Sequence, residues 1–81
     1  MDRKPAEVCH PGEHLLDELE ARNWAIPALS HLTGITESVI TDIINGKTDV
    51  TPEIANAFSR EIGTSAEFWM NLQRAWDERS K

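Results

Sequence analysis

The chain has 81 residues, a length that supports one small domain near the lower limit for a self-supporting core. Its 40% hydrophobic and 27% charged residues are ordinary for a globular protein and exclude wholesale disorder. The net charge of −6 argues against a large nonspecific nucleic-acid surface, although a local patch on a dimer is compatible with it. The single cysteine cannot form an internal disulfide, and no signal peptide or membrane-spanning run is present, so we expect a soluble, cytoplasmic protein.

The N-terminal quarter predicts a loose arm followed by a helix. Residues 1–9 mix charges with Pro5 and show no periodicity, so we interpret them as a flexible arm before a single domain over residues 10–81. Residues 11–22 begin with a proline, carry acids early and place three leucines on one face, a pattern typical of an amphipathic helix. Asn23 then suits the C-cap of this first helix.

Two further short helices follow, separated by a turn that contains Gly34. Pro27 suits the first turn of the second helix, which we expect to end at about Leu32 or Thr33. Gly34 can adopt the left-handed conformation that ends it. Thr36 is predicted as the N-cap of the third helix, because its hydroxyl can accept a hydrogen bond from a first-turn N–H. Asn45-Gly46 ends that helix.

The C-terminal half predicts two more helices. Thr51 and Pro52 provide an N-cap and a first-turn proline for the fourth helix, and Gly63 closes it. Thr64 and Glu67 fit a capping box that opens the fifth helix. Because no segment alternates with period two and none repeats, we expect an all-α domain of five helices.

The second and third helices have the spacing of a helix-turn-helix unit. About three residues join them, and in such a unit the second helix is presented to the major groove. Hydroxyl groups and the N-terminus of that helix can contact base edges and phosphates. We predict DNA contacts from the start of the third helix and the loop after it, at Thr36, Glu37, Ser38, Thr41, Asp42, Lys47 and Thr48. The alternative is a small helical bundle whose polar face is merely solvated.

Three sequence blocks resemble the HigA-type antitoxins of toxin–antitoxin modules, which are also described as virulence-associated protein I-like. The blocks are His10 to Glu13, Ile44 to Lys47 and Gly63 to Gln73, within a similarity that runs from His10 to Trp76. The resemblance implies a five-helix lambda-repressor-like helix-turn-helix fold. It also implies a homodimer that binds palindromic operator DNA through the third helix and masks an RNA-cleaving partner toxin of the HigB type.

Two departures from this family concern the DNA-binding face. Family members commonly carry a polar residue where this chain has Ile26, and a basic or amide residue where it has Glu37. Between residues 24 and 48 the only formal cation is Lys47, against Glu37 and Asp42. Phosphate contacts gain affinity through counterion release, so this face should bind weakly outside its operator. The alternative function is therefore a protein-binding module that keeps the fold but has lost DNA binding.

The fifth helix is rich in aromatic residues. Two indoles on one short helix exceed what a small core readily hides, and aromatic residues are over-represented in protein interfaces. We therefore predict that the fifth helix forms a homodimer interface through Phe68, Trp69, Leu72 and Trp76. The alternative is that these side chains belong to the core of the domain.

No constellation of residues indicates catalysis or a bound cofactor. Cys9, His10 and His14 are metal-ligand types, but a fourth ligand is not evident. The run Asn45 to Thr48 resembles the end of a phosphate-binding loop, yet Thr41 stands where its first glycine belongs. We expect no metal site, no cofactor and no enzyme activity.

Overall fold

The computed structural model describes residues 10–79, and these residues fold into five α-helices. They are α1 (Pro11–Arg22), α2 (Ile26–Thr33), α3 (Glu37–Ile44), α4 (Pro52–Ile62) and α5 (Ala66–Glu78). The predicted all-α class with five helices is confirmed. The predicted arm over residues 1–9 lies outside the described residues. No helix within residues 10–79 is both long enough and apolar enough to cross a membrane.

Local capping rules account for most of the helix boundaries. Thr36 and Thr51 are N-caps as predicted, since each hydroxyl accepts a hydrogen bond of 3.3 Å from the backbone N–H three residues later. Asn23 ends α1 with a φ of 57°, and Gly34 ends α2 with a φ of 79°. Both residues are in the left-handed region, which asparagine and glycine tolerate better than other residues.

One predicted helix start is corrected by one residue. The N-cap of α5 is Ser65, whose Oγ accepts a hydrogen bond of 3.1 Å from the N–H of Phe68, so the predicted capping box of Thr64 and Glu67 is wrong. The predicted position of Pro27 in the first turn of α2 is confirmed, since that helix begins at Ile26. There the missing N–H of proline breaks no intrahelical hydrogen bond.

The core is formed by all five helices and has Trp69 at its centre. The indole of Trp69 is wholly buried, with the ring of Phe58 4.9 Å away and the ring of His14 5.5 Å away, both in edge-on contact. No surface of this side chain remains for a partner, so the assignment of Trp69 to a dimer interface is wrong. The wholly or almost wholly buried apolar residues around it are Leu15, Leu19, Leu29, Ile40, Ile43, Val50, Ala55, Phe58 and Ile62.

Arg22 connects α1 to the end of α4. Its Nη2 donates a hydrogen bond of 2.7 Å to the carbonyl of Ile62, one of the carbonyls without a helical partner at that terminus. Its Nη1 pairs with the carboxylate of Glu18, and this hydrogen bond is the main reason why the pKa of Glu18 is lowered. The salt bridge also orients the guanidinium toward α4.

The first turn of α1 packs directly on the last turn of α3. A Cβ placed on Gly12 would lie 1.9 Å from the carbonyl oxygen of Ile43, so only glycine fits this contact. His10 precedes that turn as its N-cap, and its Nδ1 accepts a hydrogen bond of 2.9 Å from the N–H of Gly12. Its backbone N–H donates to the carboxylate of Glu13 over 3.3 Å, which completes a capping box. The segment His10 to Glu13 therefore sets the position of α3 relative to α1.

We expect the stability of the domain to fall as the pH drops below about 6.5, the ordinary pKa of histidine. His10 is 4% exposed, and burial lowers its pKa against the opposing field of Asp49, Glu13 and Asp77. Its Nδ1 must stay unprotonated to accept the capping hydrogen bond. As the pH falls, the unfolded chain binds the proton first, and the free energy of unfolding decreases until the folded chain is protonated as well.

Urea unfolding between about pH 7.5 and 5.5 measures this dependence. His10→Asn keeps a side-chain acceptor at the N-cap and removes the titrating ring, so its unfolding free energy should vary less with pH. His31→Asn, which alters an exposed histidine on α2, should leave the decline in place. Equal pH dependence in the native protein and in His10→Asn would show that His10 is not the source.

Candidate nucleic-acid interface

Backbone and side-chain hydrogen bonds fix the turn between α2 and α3. The N–H of Gly34 donates to the carbonyl of Ser30 over 2.9 Å, and the Ser30 hydroxyl donates to the carbonyl of Ile35 over 2.6 Å. The Thr33 hydroxyl donates to the carbonyl of Leu29 over 2.8 Å and accepts from the N–H of Ile35 over 3.1 Å. These hydrogen bonds hold the turn against the last turn of α2, so the direction of α3 relative to α2 is fixed.

The inner side of α3 is anchored in the core. Ile40 and Ile43 are completely buried and belong to the same cluster as Leu29 of α2. Ile35 and Val39 pack against that cluster with part of their surface exposed. This packing agrees with the predicted helix-turn-helix unit, in which the second helix is held from behind so that its outer side can meet a ligand.

The outer side of α3 carries the five predicted contacts of the helix. Glu37 and Ser38 are exposed in the first turn, and Thr41 and Asp42 are half-buried in the next. The hydroxyl of Thr36 accepts the capping hydrogen bond, which leaves its proton for an outside acceptor. Within residues 10–79, no side-chain hydrogen bond engages Ser38 or Thr41. The hydroxyls of these two residues are therefore available to a ligand.

The remaining two predicted contacts lie on the loop between α3 and α4, residues 45–51. Lys47 is exposed and Thr48 is half-buried. The loop folds back onto the end of α3, because the N–H of Lys47 donates to the carbonyl of Asp42 over 2.8 Å and that of Gly46 donates to the carbonyl of Ile43 over 3.0 Å. Gly46 has a φ of 76°, which glycine adopts without strain.

Two residues that hold this loop from the far side were not predicted from the sequence. The His10 ring lies 3.9 Å from the point where a Cβ on Gly46 would stand, so it packs against the loop. Gln73 of α5 is 4% exposed, and its Oε1 accepts a hydrogen bond of 2.8 Å from the N–H of Val50. The sequence feature that could have indicated Gln73 is its position, because it is a polar side chain four residues after Trp69, on the apolar face of α5.

The charge of this face is negative, as the sequence indicates. Glu37 lies in the first turn of α3, where the helix dipole favours it, but there it also faces any approaching phosphate. Lys47 is the only formal cation between residues 24 and 48. This face therefore offers a ligand more hydroxyls and backbone N–H groups than cations.

The candidate dimer surface on α5 is smaller than the sequence suggests. Phe68, Leu72 and Trp76 are half-buried and spaced four residues apart, so they share one side of the helix. Part of Trp76 is covered within the chain, since its ring meets the edge of His10 at 5.0 Å and the Arg79 guanidinium lies 3.3 Å from its centroid. With Trp69 in the core, one indole is left on this surface.

The described residues contain no group of three or more histidine, cysteine or acidic side chains that could hold a metal ion. Cys9, which the sequence places next to His10, lies outside the described residues.

Comparison with known proteins agrees with this geometry. A family model described as Helix-turn-helix matches residues 15–69, more than half of the chain. Antitoxin HigA-1 of Vibrio cholerae is 32% identical over 83 aligned positions, which cover 98% of this chain and 75% of that protein.

Solved structures show the same similarity in three dimensions. An addiction module antidote protein of the HigA family from Coxiella burnetii has a TM-score of 0.85 and 33% identity, over 91% of this chain and 82% of that one. The Pseudomonas aeruginosa antitoxin HigA, solved with the higBA promoter, has a TM-score of 0.86 and 31% identity, over 91% and 82% of the two chains. The chain therefore belongs to the helix-turn-helix family, and within it to the HigA-type antitoxins.

Proposed function

We propose that the protein is a transcriptional regulator that binds operator DNA through α3 as a homodimer. The observation that carries this proposal is the outer side of α3, which presents hydroxyls without side-chain partners in the described chain and is held rigidly from behind. The Pseudomonas aeruginosa relative solved with promoter DNA supports it. Regulation by DNA binding involves no catalytic step. In this proposal the protein acts in the cytoplasm, where it binds its operator DNA.

The acidic character of the face is compatible with base recognition. Ser38 and Thr41 can bond base edges, and a carboxylate such as Glu37 can accept a hydrogen bond from the amino group of cytosine. Lys47 and Thr48 bind flanking phosphates in this proposal. A dimer doubles these contacts by reading two half-sites about 34 Å apart. With so few cations, the slope of log affinity against log salt should be shallow, since each phosphate neutralised contributes about 0.9.

We expect Glu37→Lys to bind mixed-sequence DNA about tenfold more tightly than the native protein at low salt. The substitution replaces repulsion by attraction at the edge of the groove. Glu53→Lys is the matched control, because it changes the same charge in the first turn of α4, a helix that carries none of the proposed DNA contacts. Both variants suffer a similar loss of helix-dipole stabilisation, so a difference between them reports DNA contact.

The assay is a titration of each variant against its own promoter DNA and against mixed-sequence DNA at two salt concentrations. If the native protein does not bind at low salt and Glu37→Lys gains nothing over Glu53→Lys, α3 does not face DNA. The protein is then a protein-binding module that keeps the helix-turn-helix fold, the alternative that its acidic α3 favours.

We further propose that the protein neutralises an RNA-cleaving toxin of the HigB type. The proposal follows from membership of an antitoxin family and from the net charge of −6, which suits a basic partner. Co-expression with the protein encoded beside it, followed by co-purification and a growth assay, tests this role. Continued toxicity of the neighbour in the presence of this chain would contradict it.

A further inference from the structure

We propose that Gln73 is a positioning residue for DNA binding: it holds the loop of residues 45–51 in place and keeps the Asp49 carboxylate away from the phosphates. This inference rests on the proposed binding of DNA through α3 and that loop. Gln73 lies on α5, outside the helix-turn-helix unit, and its side chain forms hydrogen bonds with Asp49 and Val50 of the loop.

Both polar atoms of the Gln73 amide form hydrogen bonds. Its Oε1 accepts the Val50 N–H over 2.8 Å. Its Nε2 donates to Oδ1 of Asp49 over 3.2 Å and to Oδ1 of Asp77 over 3.0 Å. A glutamine supplies two N–H donors and one carbonyl acceptor, and all three are used here. Because the residue is 4% exposed, water cannot readily replace these bonds.

The Gln73 amide attaches the loop to the body of the domain together with the buried Val50 side chain and the His10 ring. Backbone hydrogen bonds tie its start to the end of α3, and Thr51 ties its end to α4. Between those ends, within residues 10–79, only Gln73 donates or accepts a side-chain hydrogen bond with the loop. Loss of the amide would remove these hydrogen bonds and loosen the part of the loop next to Lys47 and Thr48.

The Gln73 amide also affects the charge near Lys47. Asp49 is two residues from Lys47, the only cation of the proposed DNA-binding face. Its carboxylate is bonded to the Gln73 amide on the α5 side of the loop. Without that donor the carboxylate would be able to turn toward the DNA and offset the attraction of Lys47 for phosphate.

Gln73→Glu tests both consequences. The new carboxylate still accepts from the Val50 N–H, but it cannot donate, and it repels Asp49 and Asp77. We expect affinity for the protein's own promoter DNA to fall by about tenfold at neutral pH. Ile62→Val, which loses stability at the opposite end of α4, should bind DNA like the native protein.

A double-mutant cycle separates positioning from a general structural effect. Asp49→Asn alone should change affinity by less than about twofold, because Gln73 already holds that side chain back. In the Gln73→Glu background, the same change removes the repulsion and supplies a donor, so it should restore most of the lost affinity. Additive effects of the two substitutions would overturn the proposal. Circular dichroism at the assay temperature verifies that each variant is folded.

Should Gln73→Glu unfold, Gln73→Met takes its place, because it removes the same hydrogen bonds without adding a charge. It should weaken promoter binding by about threefold, and unchanged binding by this folded variant would overturn the proposal. A native protein that binds no DNA at low salt would refute the proposed function and this inference together. A native protein that binds DNA while the Gln73 variants match it would refute this inference alone.

Discussion

Replacing Gly12 by alanine is expected to destabilise the domain by about 3 kcal/mol. An added Cβ would lie 1.9 Å from the carbonyl oxygen of Ile43, 2.7 Å from its carbonyl carbon and 2.8 Å from the Cα of Ile44. All three atoms belong to the backbone, so no side chain can rotate away to relieve the overlap. The first turn of α1 must move off α3 by about 1 Å or more, which breaks close packing around the buried Ile43 side chain.

Urea unfolding of Gly12→Ala and Gly34→Ala measures the effect against a matched control. Gly34 has a φ of 79° and no atom within 4 Å of an added Cβ, so its replacement costs only backbone strain, about 1 kcal/mol. Gly12→Ala should also weaken promoter binding, because Ile43 and Ile44 form the last turn of α3. A loss of stability no larger than that of Gly34→Ala would show that α1 and α3 separate without cost.

The helix boundaries could be predicted because local chemistry determines them. Thr36 and Thr51 each stand alone before an apolar run, and Gly34 follows the last apolar residue of α2. Thr64 and Ser65 are adjacent hydroxyls, and either could cap α5 by local rules. In the structure the Ser65 hydroxyl accepts a hydrogen bond from the N–H of Phe68, a choice that local rules alone do not make.

The candidate site was only partly predictable, for a related physical reason. The candidate contact residues of α3 follow from helical periodicity, which places them on the outer side of that helix. Contacts between segments distant in the chain do not follow from periodicity. Gln73 lies 23 residues from Val50, and no spacing rule connects the two. Likewise, the spacing of Phe68 and Trp69 indicates an apolar helix but not which of them faces the core. Only the packed structure places Trp69 inside and leaves Phe68 half-exposed.

The oligomeric state has the largest expected effect on DNA affinity. In the proposed dimer, the contact is the side of α5 that carries Phe68, Leu72 and Trp76. Ala75 is exposed and lies three residues after Leu72, on the same side of the helix. An arginine at that position places a long charged side chain between the two α5 helices. It leaves the core intact, because Ala75 is not buried and arginine favours helices.

We expect Ala75→Arg to be monomeric at about micromolar concentration and to bind its operator at least about a hundredfold more weakly than the native dimer, because a monomer loses the avidity of two linked half-sites. Ala21→Arg is the matched control, since it makes the same change at an exposed position of α1 and adds the same charge. Any gain in nonspecific DNA affinity from the arginine should appear in both variants. Sedimentation equilibrium and operator titration at one salt concentration measure the two effects. If Ala75→Arg sediments and binds operator DNA like Ala21→Arg, this side of α5 is not the dimer contact. The contact then lies on another face of the domain, or the native protein is a monomer that binds its operator with a single α3.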